Sequence, residues 1–200
     1  VLKASLEFNE GFFKVVRGVI IETDFMGRVN VSEKDYLEMV EGKTAALFHT
    51  ASRMGAILAN ATESQIDNLG LFGKNAGIAF QIVDDIIGSF GNAKKTGKPT
   101  DSDIKEGKKT LLLIQALEFA DDSERETLEG IVGNRNASND DIESVREIFR
   151  TTGALKYSKS KADELYKLSL QYLEKAEPAL DQKHMQYLRE IAKKGVNRDN

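Results

Sequence analysis

The chain has 200 residues, of which 40% are hydrophobic and 30% are charged, and its net charge is −4. This length fits one domain with a substantial core, and the acidic balance gives no support to nucleic-acid binding or to a polybasic membrane patch. The sequence contains no cysteine, which excludes disulfides and thiolate chemistry.

Membrane and export signals are also missing from the sequence. No apolar run approaches the roughly 20 residues that a helix needs to cross a bilayer, so we expect no stable membrane insertion. No signal peptide is visible, and the cytoplasm is therefore the expected location.

The first predicted helix covers residues 1–25 and is apolar on more than one face. One face carries Leu2, Leu6, Phe13 and Ile20, and another carries Phe8, Phe12, Val15 and Val19. A helix that is apolar around most of its circumference must be covered on most sides. We therefore expect it to form a homodimer interface, or else to be buried wholly within one subunit.

A second helix is predicted to begin at a polar cap and to run towards Asn60. Asn30 or Ser32 can provide the cap, because such side chains accept hydrogen bonds from the first turn of a helix. A bend is expected near Gly42 and Lys43. Lys43 is a cation in a largely apolar helix, so it either extends its ammonium group to the surface or belongs to a site.

The rest of the chain continues the helical pattern. Residues 63–91 are predicted to form one long helix, and residues 92–107 a polar loop. Further helices are expected over 108–120, 123–133, 139–150, 154–176 and beyond Pro178. The predicted fold is therefore a single all-α domain over residues 1–200, in the form of a helix bundle.

Residues 80–110, FQIVDDIIGSFGNAKKTGKPTDSDIKEGKKT, carry the strongest chemical signal. On a helix, Gln81, Asp84, Asp85 and Gly88 form one stripe with the spacing i, i+3, i+4 and i+7. A separate apolar face supplies the packing, and its residues are Phe80, Val83, Ile87 and Phe90. The polar stripe is therefore expected to face a space that apolar side chains do not fill.

The adjacent carboxylates of Asp84 and Asp85 repel each other unless a cation lies between them, and hard oxygen ligands suit Mg²⁺. Mg²⁺ usually completes its coordination shell with water and substrate phosphate. Lys98 and Lys108 follow in glycine-containing turns, where a lysine provides a point charge suited to phosphate. The combination predicts a magnesium–diphosphate site.

Two other aspartate pairs have a simpler interpretation. Asp121-Asp122 and Asp140-Asp141 lie before or at predicted helix starts, where carboxylates cap the helix and oppose its dipole. Asp84 and Asp85 instead interrupt an apolar helix, where uncompensated charge is unfavourable. The two histidines share no metal-ligand spacing, so we expect core or surface roles for them.

Two segments resemble the trans-isoprenyl diphosphate synthases, also called polyprenyl synthetases. Residues 80–110 are similar to the second aspartate-rich region of that family, and residues 36–59, YLEMVEGKTAALFHTASRMGAILA, to its Lys-Thr segment and small-residue helix. The likeness is to members of the geranylgeranyl and farnesyl diphosphate synthase type. It implies an isoprenoid-synthase-type antiparallel helix bundle that forms a homodimer and condenses an allylic diphosphate with isopentenyl diphosphate.

The resemblance also implies how the diphosphate is held. Asp84 and Asp85 match the first two aspartates of the second DDxxD motif of the family. They would bind Mg²⁺ that bridges to the allylic diphosphate. Lys43, Lys98 and Lys108 would neutralise the same diphosphate.

The resemblance places Thr44 and Gln81 near the carbocation, where oxygen dipoles stabilise developing positive charge, and counts Lys43 with them as catalytic. The family's reaction has three steps: ionisation of the allylic diphosphate, attack by the isopentenyl double bond, and loss of a proton. It needs no side-chain nucleophile. A long apolar cavity between helices would shelter the growing chain from water.

The sequence departs from the family pattern in three places. Gly88 stands where the third aspartate of DDxxD often lies, while Val19 and Glu22 replace the glutamine and aspartate of the GQxxD pattern. The first DDxxD motif is absent from the 200 residues, as is the GKxxR segment that would bind isopentenyl diphosphate. We therefore expect this chain to be the larger C-terminal part of a synthase, and to be inactive alone.

Two functional alternatives follow from these departures. The chain is either part of an active prenyltransferase or a naturally short, non-catalytic subunit of a heteromeric synthase. Joint retention of the lysines, the glutamine and the carboxylates favours the first, because a purely structural subunit has no physical need for them. A class I terpene cyclase is a weaker third option, since its metal triad of Asn, Ser or Thr, and Glu is not evident.

Overall fold

The computed structural model describes residues 2–28, 30–91 and 101–197. Within these ranges every regular element is helical, which confirms the predicted all-α class. The helices are α1 (Leu2–Phe25), α2 (Glu33–Val40), α3 (Ala46–Leu58), α4 (Glu63–Phe90), α5 (Ser102–Lys105), α6 (Leu111–Phe119), α7 (Asp122–Ile131), α8 (Asn139–Thr151), α9 (Ala154–Glu174) and α10 (Gln182–Val196). The helices predicted from the sequence agree with these bounds to within a few residues, except that a turn at residues 41–45 divides the predicted second helix. The predicted loop over residues 92–107 is wrong where the short helix α5 lies, and residues 92–100 of it lie outside the described residues.

The predicted bend in the second helix is a π-helical turn, Glu41–Ala45, which joins α2 to α3. At this turn the backbone approaches α1 very closely. A Cβ on Gly18 would lie 2.6 Å from the carbonyl carbon of Gly42 and 2.7 Å from Cα of Lys43. Only glycine fits there, because real Cβ atoms do not tolerate such contacts. The close approach brings the side chain of Lys43 to the edge of α1.

The long helix α4 lies at the centre of the bundle. It begins at a capping box in which Thr62 and Gln65 each accept a hydrogen bond from the other's backbone amide. It packs between α3 and α9, and Ala79 and Ile82 on its inner side are almost fully buried. Burial of an isoleucine side chain stabilises a fold by about 1.5–3 kcal/mol. This packing holds the helix that carries the carboxylate stripe.

The caps that the sequence predicted for three further helices are present in the structure. Ser32 caps α2 in a capping box with Asp35, so the second of the two predicted caps is the one used. Asp121 caps α7, where its carboxylate accepts a hydrogen bond from the backbone of Glu124. The carboxylate of Asp141 completes the capping box at the start of α8. The interpretation of these extra aspartates as capping residues is confirmed.

Helix α1 packs against α3, the π-helical turn and α2, and it leaves several large apolar side chains exposed. Leu2, Phe13 and Ile20 are exposed over 74%, 71% and 63% of their surface in this chain. Phe8 and Phe12, on the second predicted apolar face, are also exposed. None of the helices in the described ranges combines the length and the apolar character needed to cross a bilayer.

Candidate active site

The predicted site residues converge on one cavity of about 380 Å³. Its walls come from α1, α2 with the π-helical turn, α4, and the segment 103–110. The charged and amide side chains that line it are Glu22, Lys43, Gln81, Asp84, Asp85, Asp103, Glu106, Lys108 and Lys109. Thr44 joins them through a hydrogen bond to Gln81. Lys98, which was also predicted to contact the diphosphate, lies outside the described residues.

A larger cavity of about 670 Å³ lies between α1 and α2. Its lining includes Lys14, Arg17, Lys34 and Glu38, together with apolar side chains, but none of the predicted site residues. Size alone therefore does not identify the site. The smaller cavity is the one that brings together Asp84, Asp85, Gln81, Lys43 and Lys108, which the sequence predicted as site residues.

The two carboxylates of the Asp84-Asp85 pair have different surroundings. Asp84 is half-buried on the cavity wall, whereas Asp85 is buried. One oxygen of Asp85 accepts a hydrogen bond from the hydroxyl of Tyr36 at 2.8 Å, and the other accepts one from Nε2 of Gln81, also at 2.8 Å. The two predicted metal ligands therefore differ in burial and in hydrogen bonding.

Burial controls the electrostatics of this pair. Loss of water around Asp85 raises the pKa of its carboxyl to about 7, although the hydrogen bonds from Gln81 and Tyr36 oppose the rise. The nearby carboxylates of Asp103 and Asp84 add to it. Burial, followed by the charge of Asp85, raises the pKa of Tyr36 well above its usual value. Because burial disfavours the ionised form of Asp85, a cation nearby would stabilise that form and lower its pKa.

A chain of hydrogen bonds connects α2, α4 and the π-helical turn. The hydroxyl of Thr44 donates to Oε1 of Gln81 at 2.6 Å, and Gln81 in turn donates to Asp85. The last hydrogen bond of this series is the one that the Tyr36 hydroxyl donates to Asp85. The two residues predicted to lie near a carbocation are therefore tied to one another and to the second aspartate of the pair.

Lys43 lies at the cavity and not at the open surface. Its ammonium group is 2.6 Å from Oε1 of Glu22, and both side chains are about one third exposed (33% and 28%). Glu22 is the residue that replaces the aspartate of the family's GQxxD pattern, so the substitution keeps the charge that faces Lys43. The alternative that Lys43 merely extends to the surface does not fit this placement.

Lys108 lines the cavity, where an ion pair with Asp103 holds its side chain. Its ammonium group is ion-paired with Asp103 and lies 3.4 Å from Glu106. Burial alone would lower the pKa of Lys108, but the hydrogen bond and charge of Asp103, together with Glu106, outweigh burial and raise it. Asp103 in turn lies against Gly88, where a Cβ would come 2.7 Å from its carboxyl carbon.

Asp103 and Tyr36 were not predicted as site residues. Tyr36 precedes Lys43 by seven residues, and helical spacing alone would have put both side chains on one face. Asp103 sits in a polar run where no periodic pattern singles it out. Only the contact of the segment 103–110 with α4 reveals that it belongs to the site.

The donor set at the cavity suits a hard cation that also binds substrate. Among residues 2–28, 30–91 and 101–197, no three or more His, Asp or Glu side chains form a complete ligand set for a metal. Asp84 nevertheless offers carboxylate oxygens on the cavity wall. Mg²⁺ is commonly held by one or two carboxylates, with water and substrate phosphate supplying the other ligands. The residues present therefore fit Mg²⁺ bound together with a phosphate-bearing substrate.

Comparison with known protein families agrees with this geometry. Residues 2–149 match the family model for polyprenyl synthetases. The chain is 36% identical over 193 residues to a geranylgeranyl diphosphate synthase of Sulfolobus acidocaldarius, and the match covers 96% of the chain and 58% of the relative. The chain therefore spans less than two thirds of the length of that relative.

Two solved structures are similar over nearly all of the chain. A polyprenyl synthase from Caulobacter crescentus CB15, complexed with calcium and isoprenyl diphosphate, gives a TM-score of 0.91 at 28% identity, covering 100% of this chain and 60% of the other. A geranylgeranyl pyrophosphate synthase from Corynebacterium glutamicum, complexed with isoprenyl diphosphate and magnesium, gives 0.90 at 28% identity, covering 99% and 57%. These likenesses confirm the type of helix bundle expected from the sequence.

Proposed function

The chain belongs to the polyprenyl synthetase family, and we propose that the protein which carries it is a prenyltransferase. It would condense an allylic diphosphate with isopentenyl diphosphate to make a longer isoprenyl diphosphate. The meeting of Asp84, Lys43 and Lys108 on one cavity supports this proposal most directly. Relatives crystallised with isoprenyl diphosphate and a divalent cation support it further.

Asp84 is the residue that we assign to Mg²⁺, together with oxygens of the diphosphate and water. Asp85, the second predicted ligand, already accepts one hydrogen bond on each oxygen, so it could join only through its remaining lone pairs. When bound, Mg²⁺ stabilises the negative charge that the departing diphosphate gains. A divalent cation fits the site because the carboxylate of Asp84 offers negatively charged oxygen donors.

The lysines bind the diphosphate and orient it. Lys43 and Lys108 each hold a carboxylate partner now, Glu22 and Asp103, and both ammonium groups reach the cavity. Each has three donors, so it can contact a phosphate oxygen without leaving its partner. Lys98 would add a third positive charge, as the sequence predicts. Together they place the leaving diphosphate against the wall that carries Asp84.

The ionisation step breaks the allylic C–O bond, and the electron pair leaves with the diphosphate. Thr44 and Gln81 would face the resulting carbocation with hydroxyl and carbonyl oxygens, whose dipoles stabilise positive charge. The isopentenyl double bond then attacks the allylic carbon, and loss of a proton to the departed diphosphate restores a double bond. Phe25, Met26 and Met39 line the same cavity and keep part of it apolar, which helps to exclude water from the cation.

A second candidate function is a non-catalytic subunit that completes or regulates another synthase. The intact set of charged residues at the cavity favours a catalytic role instead. A simple observation distinguishes the catalytic from the non-catalytic function. A non-catalytic subunit would raise product formation only after a second synthase subunit is added.

We further propose that the protein forms a homodimer through α1 and acts in the cytoplasm. The exposed apolar residues of α1 support the homodimer, since such surfaces are usually covered in a native assembly. The absence of cysteine from the 200 residues is consistent with a cytoplasmic location, where disulfides are rare.

The function is tested by incubating the native protein with an allylic diphosphate, radiolabelled isopentenyl diphosphate and Mg²⁺. We expect a longer, radiolabelled isoprenyl diphosphate whose formation stops when the metal is chelated. The 200-residue chain alone should give no product above background, because carboxylates from the first DDxxD motif are not among its residues. Absence of product from the native protein would contradict a catalytic role, and robust turnover by the chain alone would contradict the need for a second carboxylate motif.

A further inference from the structure

The second aspartate of the pair is enclosed by donors. Asp85 is 8% exposed, and each of its oxygens accepts a hydrogen bond, from Tyr36 on α2 and from Gln81 one turn earlier on α4. Tyr36 is fully buried and its hydroxyl has this carboxylate as its partner. A buried tyrosine and a buried carboxylate paired in this way hold each other in one geometry.

The direction of the hydrogen bonds follows from the chemistry of a carboxylate. An ionised carboxylate can only accept, so Gln81 must turn its NH₂ group towards Asp85. The carbonyl oxygen of Gln81 then faces the opposite way, towards Thr44. Because that oxygen can only accept, the hydroxyl of Thr44 must donate to it. In its ionised form, the Asp85 carboxylate therefore sets the orientation of the Gln81 amide and of the Thr44 hydroxyl.

We infer that Asp85 is a positioning residue, which acts through Gln81 and Thr44 rather than as a ligand of the metal. Tyr36 fixes the Asp85 carboxylate, and the carboxylate fixes the Gln81 amide. The amide then keeps oxygen atoms, and not NH₂ hydrogens, at the place where positive charge develops. The hydrogen bonds alone support the orientation of the Gln81 amide. Its effect on catalysis rests on the proposed function.

An asparagine at position 85 would remove the constraint and keep the shape. Its side-chain NH₂ can face Gln81, which then turns its carbonyl oxygen towards position 85 and its own NH₂ towards Thr44. The same flip would put the positive end of the amide dipole beside the carbocation. Asp85→Asn therefore separates the positioning role from simple packing.

The experiment compares Asp85→Asn and Tyr36→Phe with two controls in the native protein at alkaline pH. Asp84→Asn is the control for a metal ligand. Tyr157→Phe is the control for loss of a tyrosine hydroxyl, because Tyr157 donates to Glu33 at 2.8 Å, and neither residue lines the site cavity. The measured quantities are kcat, KM for the allylic diphosphate, and the Mg²⁺ concentration for half-maximal rate.

We expect Asp85→Asn and Tyr36→Phe to lower kcat about 10-fold or more, the effect of losing a hydrogen bond to a charged group. KM and the Mg²⁺ requirement should change by less than about twofold, whereas Asp84→Asn should raise the Mg²⁺ requirement at least about tenfold. A Mg²⁺ requirement that rises equally in Asp85→Asn and Asp84→Asn would overturn the inference. So would a kcat for Tyr36→Phe equal to that of Tyr157→Phe.

A second readout is independent of activity. In protein labelled with ¹⁵N-glutamine, the side-chain amide signals of Gln81 report its hydrogen bond to Asp85. We expect these signals to move in Asp85→Asn and Tyr36→Phe and to stay in place in Asp84→Asn and Tyr157→Phe. If the native protein shows no turnover, the proposed function fails while this readout still decides on the orientation. Unmoved Gln81 signals in Asp85→Asn would overturn the inference, whatever the activity.

Discussion

Gly88 and Asp103 share one space, because the carboxylate of Asp103 lies where a side chain at position 88 would begin. A Cβ on Gly88 would be 2.7 Å from the carboxyl carbon of Asp103, which is closer than real Cβ atoms come to other groups. Gly88 is the position of the missing third aspartate in the DDxxD motif. Its small size lets Asp103 lie against α4 and hold Lys108 at the cavity.

Gly88→Ala should therefore destabilise the protein. The added methyl group must displace a buried carboxylate, and forced shifts of this kind lower the free energy of unfolding by about 1–3 kcal/mol. Gly55→Ala is the matched control, since Gly55 lies in α3 with no atom within 4 Å of an added Cβ. It should stabilise the protein by about 0.4–1 kcal/mol. Equal denaturant midpoints for the two variants would contradict the contact between Gly88 and Asp103.

Asp84→Ala should reduce kcat by on the order of 10²-fold or more, which is the effect of losing one ordinary transition-state contact. Asp121→Ala is the control, because Asp121 caps α7 away from the cavity. Loss of that cap should lower the free energy of unfolding by about 1 kcal/mol and leave kcat unchanged. Steady-state kinetics of both variants check the prediction. Similar losses of kcat would mean that the wrong aspartate pair was assigned to the metal.

Regular patterns account for what the sequence could predict. Helical periodicity predicted the long helix α4, and placed Gln81, Asp84 and Asp85 together on its polar side. Capping signals located two helix starts to within about two residues, at Asn30 or Ser32 and at Asp121-Asp122, because such signals depend only on neighbours within one turn. Local chemistry of this kind can be inferred without knowing what the helix packs against.

Contacts between residues far apart in the sequence account for what the sequence could not predict. Nothing in the sequence shows that Tyr36, 49 residues before Asp85, donates to that carboxylate. The sequence likewise predicted the same role for Asp84 and Asp85, although Asp84 is half-buried on the cavity wall and Asp85 is buried. Burial depends on the helices that cover a residue, and the period of a single helix does not reveal them.

His49 should make stability depend on pH. Burial first, and then the positive charges of Lys14 and Arg53, lower the pKa of His49 from its usual value of 6.5. The unfolded chain therefore takes up a proton as pH falls through 6.5, while the folded protein resists it. The free energy of unfolding should fall with pH below that value and be unaffected by His49 above it.

Thermal melts of the native protein and of His49→Gln test this. The stability of the native protein relative to His49→Gln should decrease as the pH falls below 6.5. A difference in melting temperature that stays constant across this range would show that the imidazole titrates alike in the folded and unfolded states.

Phe12→Glu should weaken self-association. Phe12 is 56% exposed on α1, in the surface proposed to form the homodimer. Burying a glutamate in an apolar interface is unfavourable, so sedimentation should shift from dimer towards monomer. Phe119→Glu is the matched control, because Phe119 is 64% exposed and lies at the end of α6 and not on α1. A stable, active monomer in the unmodified protein would leave the homodimer proposal without support.

The location of the metal tests the central claim most directly. Crystals of the native protein would be grown with Mn²⁺ in place of Mg²⁺ and an unreactive thio analogue of an allylic diphosphate. Anomalous scattering from Mn²⁺ then identifies its position without reference to activity. We predict a metal peak about 2.1 Å from a carboxylate oxygen of Asp84, the usual distance for a small hard cation. The analogue's diphosphate should lie within hydrogen-bonding distance of Lys43 and Lys108. A metal and diphosphate bound elsewhere, with this cavity empty, would contradict the account.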